Sequence, residues 1–166
     1  MSVRVYTVLV LCTGNSARSI LAEAILNRLG EGRIVAGSAG SQPKDEPHPH
    51  ALRLLEDKGY DTGFARSKSW DEFAGSGAPA MDLIFTVCDS AAAEACPVWP
   101  GHPATVHWGI PDPAAAIGRD DEIRAAFELA YGQLEERVRA FLDLPLGDMA
   151  MPELVKELRQ IGETAN

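Results

Sequence analysis

The run Cys12-Thr13-Gly14-Asn15-Ser16-Ala17-Arg18-Ser19 carries a thiol, a guanidinium and four further polar side chains. If a strand ends at Leu11 and a helix begins near Ser19, the backbone N–H groups of Thr13, Gly14, Asn15, Ser16, Ala17 and Arg18 converge on one point and can hold a tetrahedral oxyanion. Gly14 lets the chain turn tightly. Arg18 presents a planar fork to two oxyanion oxygens at once, which a lysine cannot match. A helix N-terminus and a nearby guanidinium both favour the thiolate. Cys12 is therefore predicted to titrate below its ordinary value of about 8.5, within roughly 3.5–7.5, and to act as a nucleophile. The Ser19 hydroxyl can donate to that thiolate, and the Asn15 amide can hold the loop open from behind. A cysteine that merely filled a gap at a strand end would not need this polar company.

Such a loop must be positioned by the elements around it. Val3 to Leu11 is β-branched and nearly continuously apolar, the pattern of a strand buried on both faces of a parallel sheet. Ile20, Leu21, Ala24, Ile25 and Leu29 recur at helical spacing, with Gly30 as a stop signal. Arg33 to Ala36 reads as a second strand, Gln42 to Pro49 as a surface loop and His50 to Lys58 as a helix closed by Gly59. Asp82 to Cys88 is a third strand and Thr105 to His107 a short fourth, followed by a turn at Gly109 to Pro113. Asp120 to Leu142 is an amphipathic helix with acidic residues at its start, and Met151 to Ile161 reads as one more. The alternation predicts an α/β three-layer sandwich: a central four-stranded parallel sheet with helices on both faces and ligands beyond the carboxyl ends of the strands.

Bulk properties set the boundaries. A chain of 166 residues fits one domain, expected over 1–166 with a helical extension from about 148 to 166. The net charge of -9 argues against nucleic acid and anionic membranes as partners, so an anionic substrate needs local donors. Three cysteines, an odd count, do not fit a secreted disulfide framework, and the first apolar run is too short to span a bilayer. A cytoplasmic monomer with free thiols is expected. Cys88, Cys96, His102 and His107 lack the spacing of a usual zinc site, so no metal is expected, and His48 and His50 read as solvated loop residues.

Cys12 to Ser19 resembles the phosphate-binding loop of low-molecular-weight protein tyrosine phosphatases and of the arsenate reductases that share their fold. Ser38-Ala39-Gly40, Thr86-Val87-Cys88-Asp89, Cys96-Pro97, His107-Trp108-Gly109 and Asp112-Pro113 follow in the order of similar segments in the reductase branch. The resemblance spans roughly Val5 to Leu142 and leaves out Met151 to Asn166. It implies that Cys12 attacks the central atom of the oxyanion while Asp112 protonates the departing oxygen.

The other cysteines separate the branches, because reduction of arsenate to arsenite takes two electrons and two thiols supply them by forming a disulfide. Phosphate hydrolysis needs only Cys12. By resemblance, Cys88 attacks the Cys12 adduct to release arsenite, and Cys96 then moves the disulfide outward to an external thiol reductant, thioredoxin or glutaredoxin with glutathione. The implied substrate is arsenate, with phosphate or sulfate as mimics, and no cofactor is bound. Tyrosine phosphatases of this fold usually follow Asp-Pro with Tyr, whereas Ala114 stands here, so an aryl substrate loses support. Some related reductases hold potassium behind the loop through residues similar to Asn15, Glu23 and Ser38 plus an Asp near Ser67. Here Lys68 falls in that last place, and its ammonium is expected to replace the ion. Two alternatives stay open: a tyrosine phosphatase, and a non-catalytic thiol sensor of arsenite or oxidants.

Overall fold

The computed structural model describes residues 4–75, 77–89, 99, 101 and 103–164. Strands β1 (Tyr6–Leu11), β2 (Ile34–Ala39), β3 (Leu83–Thr86) and β4 (Ala104–His107) form one sheet in the order β2-β1-β3-β4, every neighbouring pair parallel. The helices among the described residues are α1 (Arg18–Leu29), α2 (Pro49–Asp57), α3 (Asp120–Leu142) and α4 (Met151–Thr164). This is the α/β arrangement that the alternation predicts.

Both faces of the sheet are covered, which is why β1 and β3 read as continuous apolar runs rather than alternating ones. Side chains along β2 alternate between the two faces. Ser38 turns toward α1 and donates to Glu23 Oε1 at 2.5 Å. Gly37 faces the other way, where a Cβ would lie 3.1 Å from the Phe73 ring in the 3-10 turn Trp70–Phe73. Helices α1, α2 and α3 pack on one another on the Ser38 side.

The second strand runs three residues past its predicted end, through Gly37 and Ser38. Both are weak strand formers, but Leu9 pairs with Gly37 and Val10 with Ser38, so ladder pairing overrides local preference. Helix α4 also runs beyond its predicted end. Its Leu154 and Leu158 are buried, Trp108 Nε1 donates to Leu158 O at 2.9 Å, and Arg159 Nη2 donates to Thr105 O at 3.2 Å. These contacts cover the edge strand β4, which would otherwise expose unpaired backbone. No helix among the described residues is long and apolar enough to cross a membrane.

The register aligns Leu11, Ala39, Thr86 and His107 at the carboxyl edge. The chain leaves β1 toward β2 on one side, whereas β3 and β4 lie on the other, so the crevice between the β1 and β3 ends is the topological switch point.

Candidate active site

Cys12 is the first residue beyond β1 and Cys88 the second beyond β3. Adjacent strands lie about 4.8 Å apart, so these two exits bring both thiols to one spot. The Val87 N–H still donates to Leu11 O at 3.0 Å, keeping the two exits paired. Trp108 N then donates to Thr86 O at 2.7 Å and Ile110 N to Val87 O at 3.3 Å, which leads the segment after β4 back over the same edge as far as Asp112.

A cavity of about 350 Å³ opens there, walled by the loop from Cys12 to Arg18, by Gln42 and Lys44 on one rim, and by Cys88, Asp112 and Ala114 on the other. The loop conformation rests on Asn15, wholly buried and at φ 45, a left-handed geometry that asparagine tolerates better than most residues. Its Nδ2 donates to Ser19 Oγ at 2.8 Å and Ser38 Oγ at 2.9 Å, and its Oδ1 accepts from Lys68 N at 3.0 Å. Ser67 Oγ donates to Asn15 O at 2.6 Å. A Cβ at Gly40 would stand 2.3 Å from Thr13 O and 2.5 Å from Cys12 O, so only glycine allows β2 to exit this close beneath the loop.

Helix α1 begins at Arg18 rather than Ser19, and its N-cap residue is Ala17, which supplies no side-chain acceptor. The first-turn N–H groups are thus left for a bound anion instead of being consumed by a cap. Arg18 Nη1 donates to Ile110 O at 3.0 Å and Nη2 lies 3.5 Å from Asp112 Oδ2, while the buried Nε donates to no atom of the described residues. Asp112 Oδ1 accepts from Ala114 N at 2.9 Å, and its side chain is 41% exposed, open to a proton from solvent. The predicted cluster of Cys12, Arg18, Asp112 and Cys88 is assembled in one cavity; Cys96, like His102, lies outside the described residues.

The protonation of Cys12 differs from expectation. A side-chain hydrogen bond with Cys88, then burial, raises the Cys12 thiol well above its ordinary value; Arg18 pulls it down without reversing the balance, and Cys88 and Asp112 add smaller upward pushes. Helix and guanidinium were legible in the sequence, but a second thiol in direct contact was not. Cys12 is therefore paired with Cys88 in the ligand-free protein, whereas Ser19 Oγ accepts from Asn15 and makes no hydrogen bond to Cys12. The Cys88 sulfur also accepts from Thr13 N at 3.4 Å and lies 3.7 Å from Thr13 Oγ1.

Behind the loop, Ser38, Glu23 and Lys68 are all buried. Lys68 Nζ donates to Arg66 O at 2.8 Å and sits 3.9 Å from Glu23 Oε1. Burial raises the Glu23 carboxyl, with Ser38 and then Lys68 opposing, and burial lowers the Lys68 ammonium, opposed by Glu23.

Some contributors were not read from the sequence. The segment after Gly40 is zipped to the loop by Gln42 N to Thr13 O at 3.0 Å, Lys44 N to Gly14 O at 2.9 Å and His48 N to Ser16 O at 2.9 Å. A lysine directly after a proline in a polar stretch was the available signal for Lys44. The histidines were misread as solvated: His48 and His50 pack on Phe127, with ring centroids 4.8 and 5.8 Å away, and His48 Nδ1 accepts from His50 N to cap α2.

A buried thiol, a helix start without a side-chain cap and a guanidinium meet around one cavity in a parallel α/β fold. The chain belongs to the low molecular weight phosphotyrosine protein phosphatase family, whose model matches residues 7–159. That match reaches into α4, further than the motif resemblance extended. Among curated relatives, the arsenate reductase of Halalkalibacterium halodurans is 34% identical over 139 residues, covering 80% of this chain and 92% of the relative. The arsenate reductase of Bacillus licheniformis is 35% identical over 138 residues, covering 82% and 95%. The crystal structure of arsenate reductase from Archaeoglobus fulgidus superposes with a TM-score of 0.62 at 29% identity, over 80% of this chain and 95% of that one.

Proposed function

We propose that the protein reduces arsenate to arsenite, using Cys12 as nucleophile and Cys88 as the second thiol. The observation that carries this reading is the contact of the Cys12 and Cys88 thiols inside the oxyanion cavity. Phosphate hydrolysis does not require a second sulfur there, whereas a two-electron reduction requires a second thiol, which Cys88 is placed to supply. The identity with arsenate reductases over most of the chain supports the same choice.

In the derived sequence, arsenate enters with its oxygens on the loop amides and Arg18. A Cys12 thiol with a high pKa needs a base at the moment of attack, and the arsenate oxygens are the nearest one. Proton transfer from sulfur to arsenate activates both partners together. Sulfur attacks arsenic, and the arsenate hydroxyl opposite it takes a proton from Asp112 and leaves as water. Cys88 then attacks the Cys12 sulfur; the S–As bond pair stays on arsenic, arsenite departs, and a Cys12–Cys88 disulfide forms. The Thr13 N–H, which donates to the Cys88 sulfur, favours its thiolate at that step. Cys96 attacks Cys88, frees Cys12 and forms a Cys88–Cys96 disulfide, which an external dithiol of the thioredoxin or glutaredoxin type reduces. The free thiols of Cys12 and Cys88 accord with a reducing, cytoplasmic location. Lys68 fills the role that potassium has behind similar loops, an idea supported by its buried ammonium near Glu23.

The test uses arsenate-dependent oxidation of a reduced nicotinamide through thioredoxin reductase and thioredoxin. Cys88→Ser and Cys96→Ser should each abolish steady-state turnover while hydrolysis of p-nitrophenyl phosphate persists, and Cys12→Ser should abolish both. Unchanged arsenate turnover in either of the first two variants refutes the relay.

A further inference from the structure

The walls of the cavity carry three charged side chains, Arg18, Asp112 and Lys44. Arg18 and Asp112 are 3.5 Å apart and largely offset one another. Lys44 forms no ion pair with a carboxylate of the described residues, so among the charged side chains lining the cavity it is the one not offset by a partner. The chain as a whole carries -9, a field that repels an approaching anion.

Lys44 is held in place although it is exposed. Its N–H donates to Gly14 O, and its stem lies along Gly14, where a Cβ would meet Lys44 Cε at 3.3 Å and Cγ at 3.4 Å. The stem thus packs on the oxyanion loop and the ammonium stands at the rim. In-line attack by Cys12 requires the departing oxygen to lie opposite sulfur, pointing out of the loop toward that rim. In an inorganic oxyanion this apical oxygen is unesterified and can accept a hydrogen bond from an ammonium at the rim. In an aryl phosphate it carries a carbon substituent, and the rim offers that substituent only Gln42, Lys44 and the small Ala114.

We infer that Lys44 is a specificity-determining residue that donates to the unesterified apical oxygen of an inorganic tetrahedral oxyanion, biasing the site against phosphate esters. The inference deepens the arsenate reductase reading but can be tested apart from it, because it concerns binding rather than reduction. Dissociation constants for inorganic phosphate and arsenate are measured by calorimetry on the full chain, with no thiol partner present, for the wild type, Lys44→Gln and Lys44→Arg. KM and kcat for p-nitrophenyl phosphate are measured alongside.

Lys44→Gln should weaken phosphate and arsenate about five- to tenfold at low ionic strength, with the difference shrinking as salt is added. Lys44→Arg should restore most of the loss. The aryl ester KM should change less than twofold. Equal weakening toward the inorganic anions and the ester would mean that Lys44 only adds to the general field, and no weakening of either would mean that it takes no part; both results overturn the inference. Failure of arsenate reduction in the wild type, with the Lys44 effect on binding intact, would strike the reductase reading alone.

Discussion

Replacing Lys68 with Met tests whether an internal ammonium stabilises the oxyanion loop from behind. Lys68 and Glu23 side chains are 8% and 10% exposed, and their charged atoms are 3.9 Å apart. At an effective dielectric near 20, that separation corresponds to about 4 kcal/mol of attraction, and removing one partner of a buried pair typically costs about 3–5 kcal/mol. For a domain of this size the loss lowers the melting temperature by roughly 10 °C. The pH dependence identifies the cause. Burial raises the Glu23 carboxyl above its ordinary 4.5, so the folded state holds that proton more tightly than the unfolded chain, and Glu23 costs stability as pH rises above that value. Lys68 limits this cost. In Lys68→Met the folded Glu23 carboxyl moves higher still, and the deficit relative to wild type should be small near pH 4 and grow by up to about 1.4 kcal/mol per pH unit before levelling off. Calorimetric melts from pH 4 to 8, in sodium and in potassium chloride, measure it. The wild type should melt at the same temperature in both salts. A deficit of equal size at every pH would show lost packing instead of lost charge, and a potassium-dependent wild type would refute the substitution of ammonium for ion.

Two further outcomes follow from the geometry of the loop. In Cys88→Ala the largest cause of the raised Cys12 pKa is gone, so the pH midpoint for alkylation of Cys12 by iodoacetamide should fall and the rate at pH 7 should rise at least several-fold; an unchanged midpoint would remove the thiol pair from the account. In Gly40→Ala the new methyl group is pressed against the Cys12 and Thr13 carbonyl oxygens, which should destabilise the fold by about 3 kcal/mol and abolish phosphate binding by the residual folded protein, as read by calorimetry. Retained phosphate affinity would mean that the loop relocates without cost.

The parts of this protein that repeat at helical or strand spacing were readable in advance, and so was the turn from β1 into α1, because it is local. Cys12, Arg18 and the elements flanking them lie within one strand, one turn and one helix. What escaped came from long-range pairing. The ladder to β1 draws Gly37 and Ser38 into β2. Three backbone hydrogen bonds tie residues 42–48 to the loop and bring Lys44 to the cavity, a placement that no periodicity encodes. The resting state of Cys12 belongs to the same group: its sign depends on Cys88, 76 positions away, and on the depth of the cavity. Sequence spacing can indicate that both thiols reach one sheet edge, but not that they touch.

That contact links the fold to the order of chemical events. Because β1 and β3 are parallel neighbours at the switch point, one residue past the first and two past the second suffice to bring the sulfurs together, with no movement of the loop. A Cys12 thiol kept protonated by its hydrogen bond to Cys88 and by burial is a poor nucleophile and resists stray alkylation and oxidation, which follow the thiolate. A tetrahedral anion that binds between loop and rim brings its own basic oxygens to the sulfur and adds negative charge beside Arg18, so it can take the Cys12 proton without help from solvent. Reactivity is then conditional on occupancy. A permanently ionised Cys12 would be active whenever the protein is folded; under the proposed mechanism, the same geometry that delays it would keep Cys88 adjacent for the electron-transferring step once arsenic is attached.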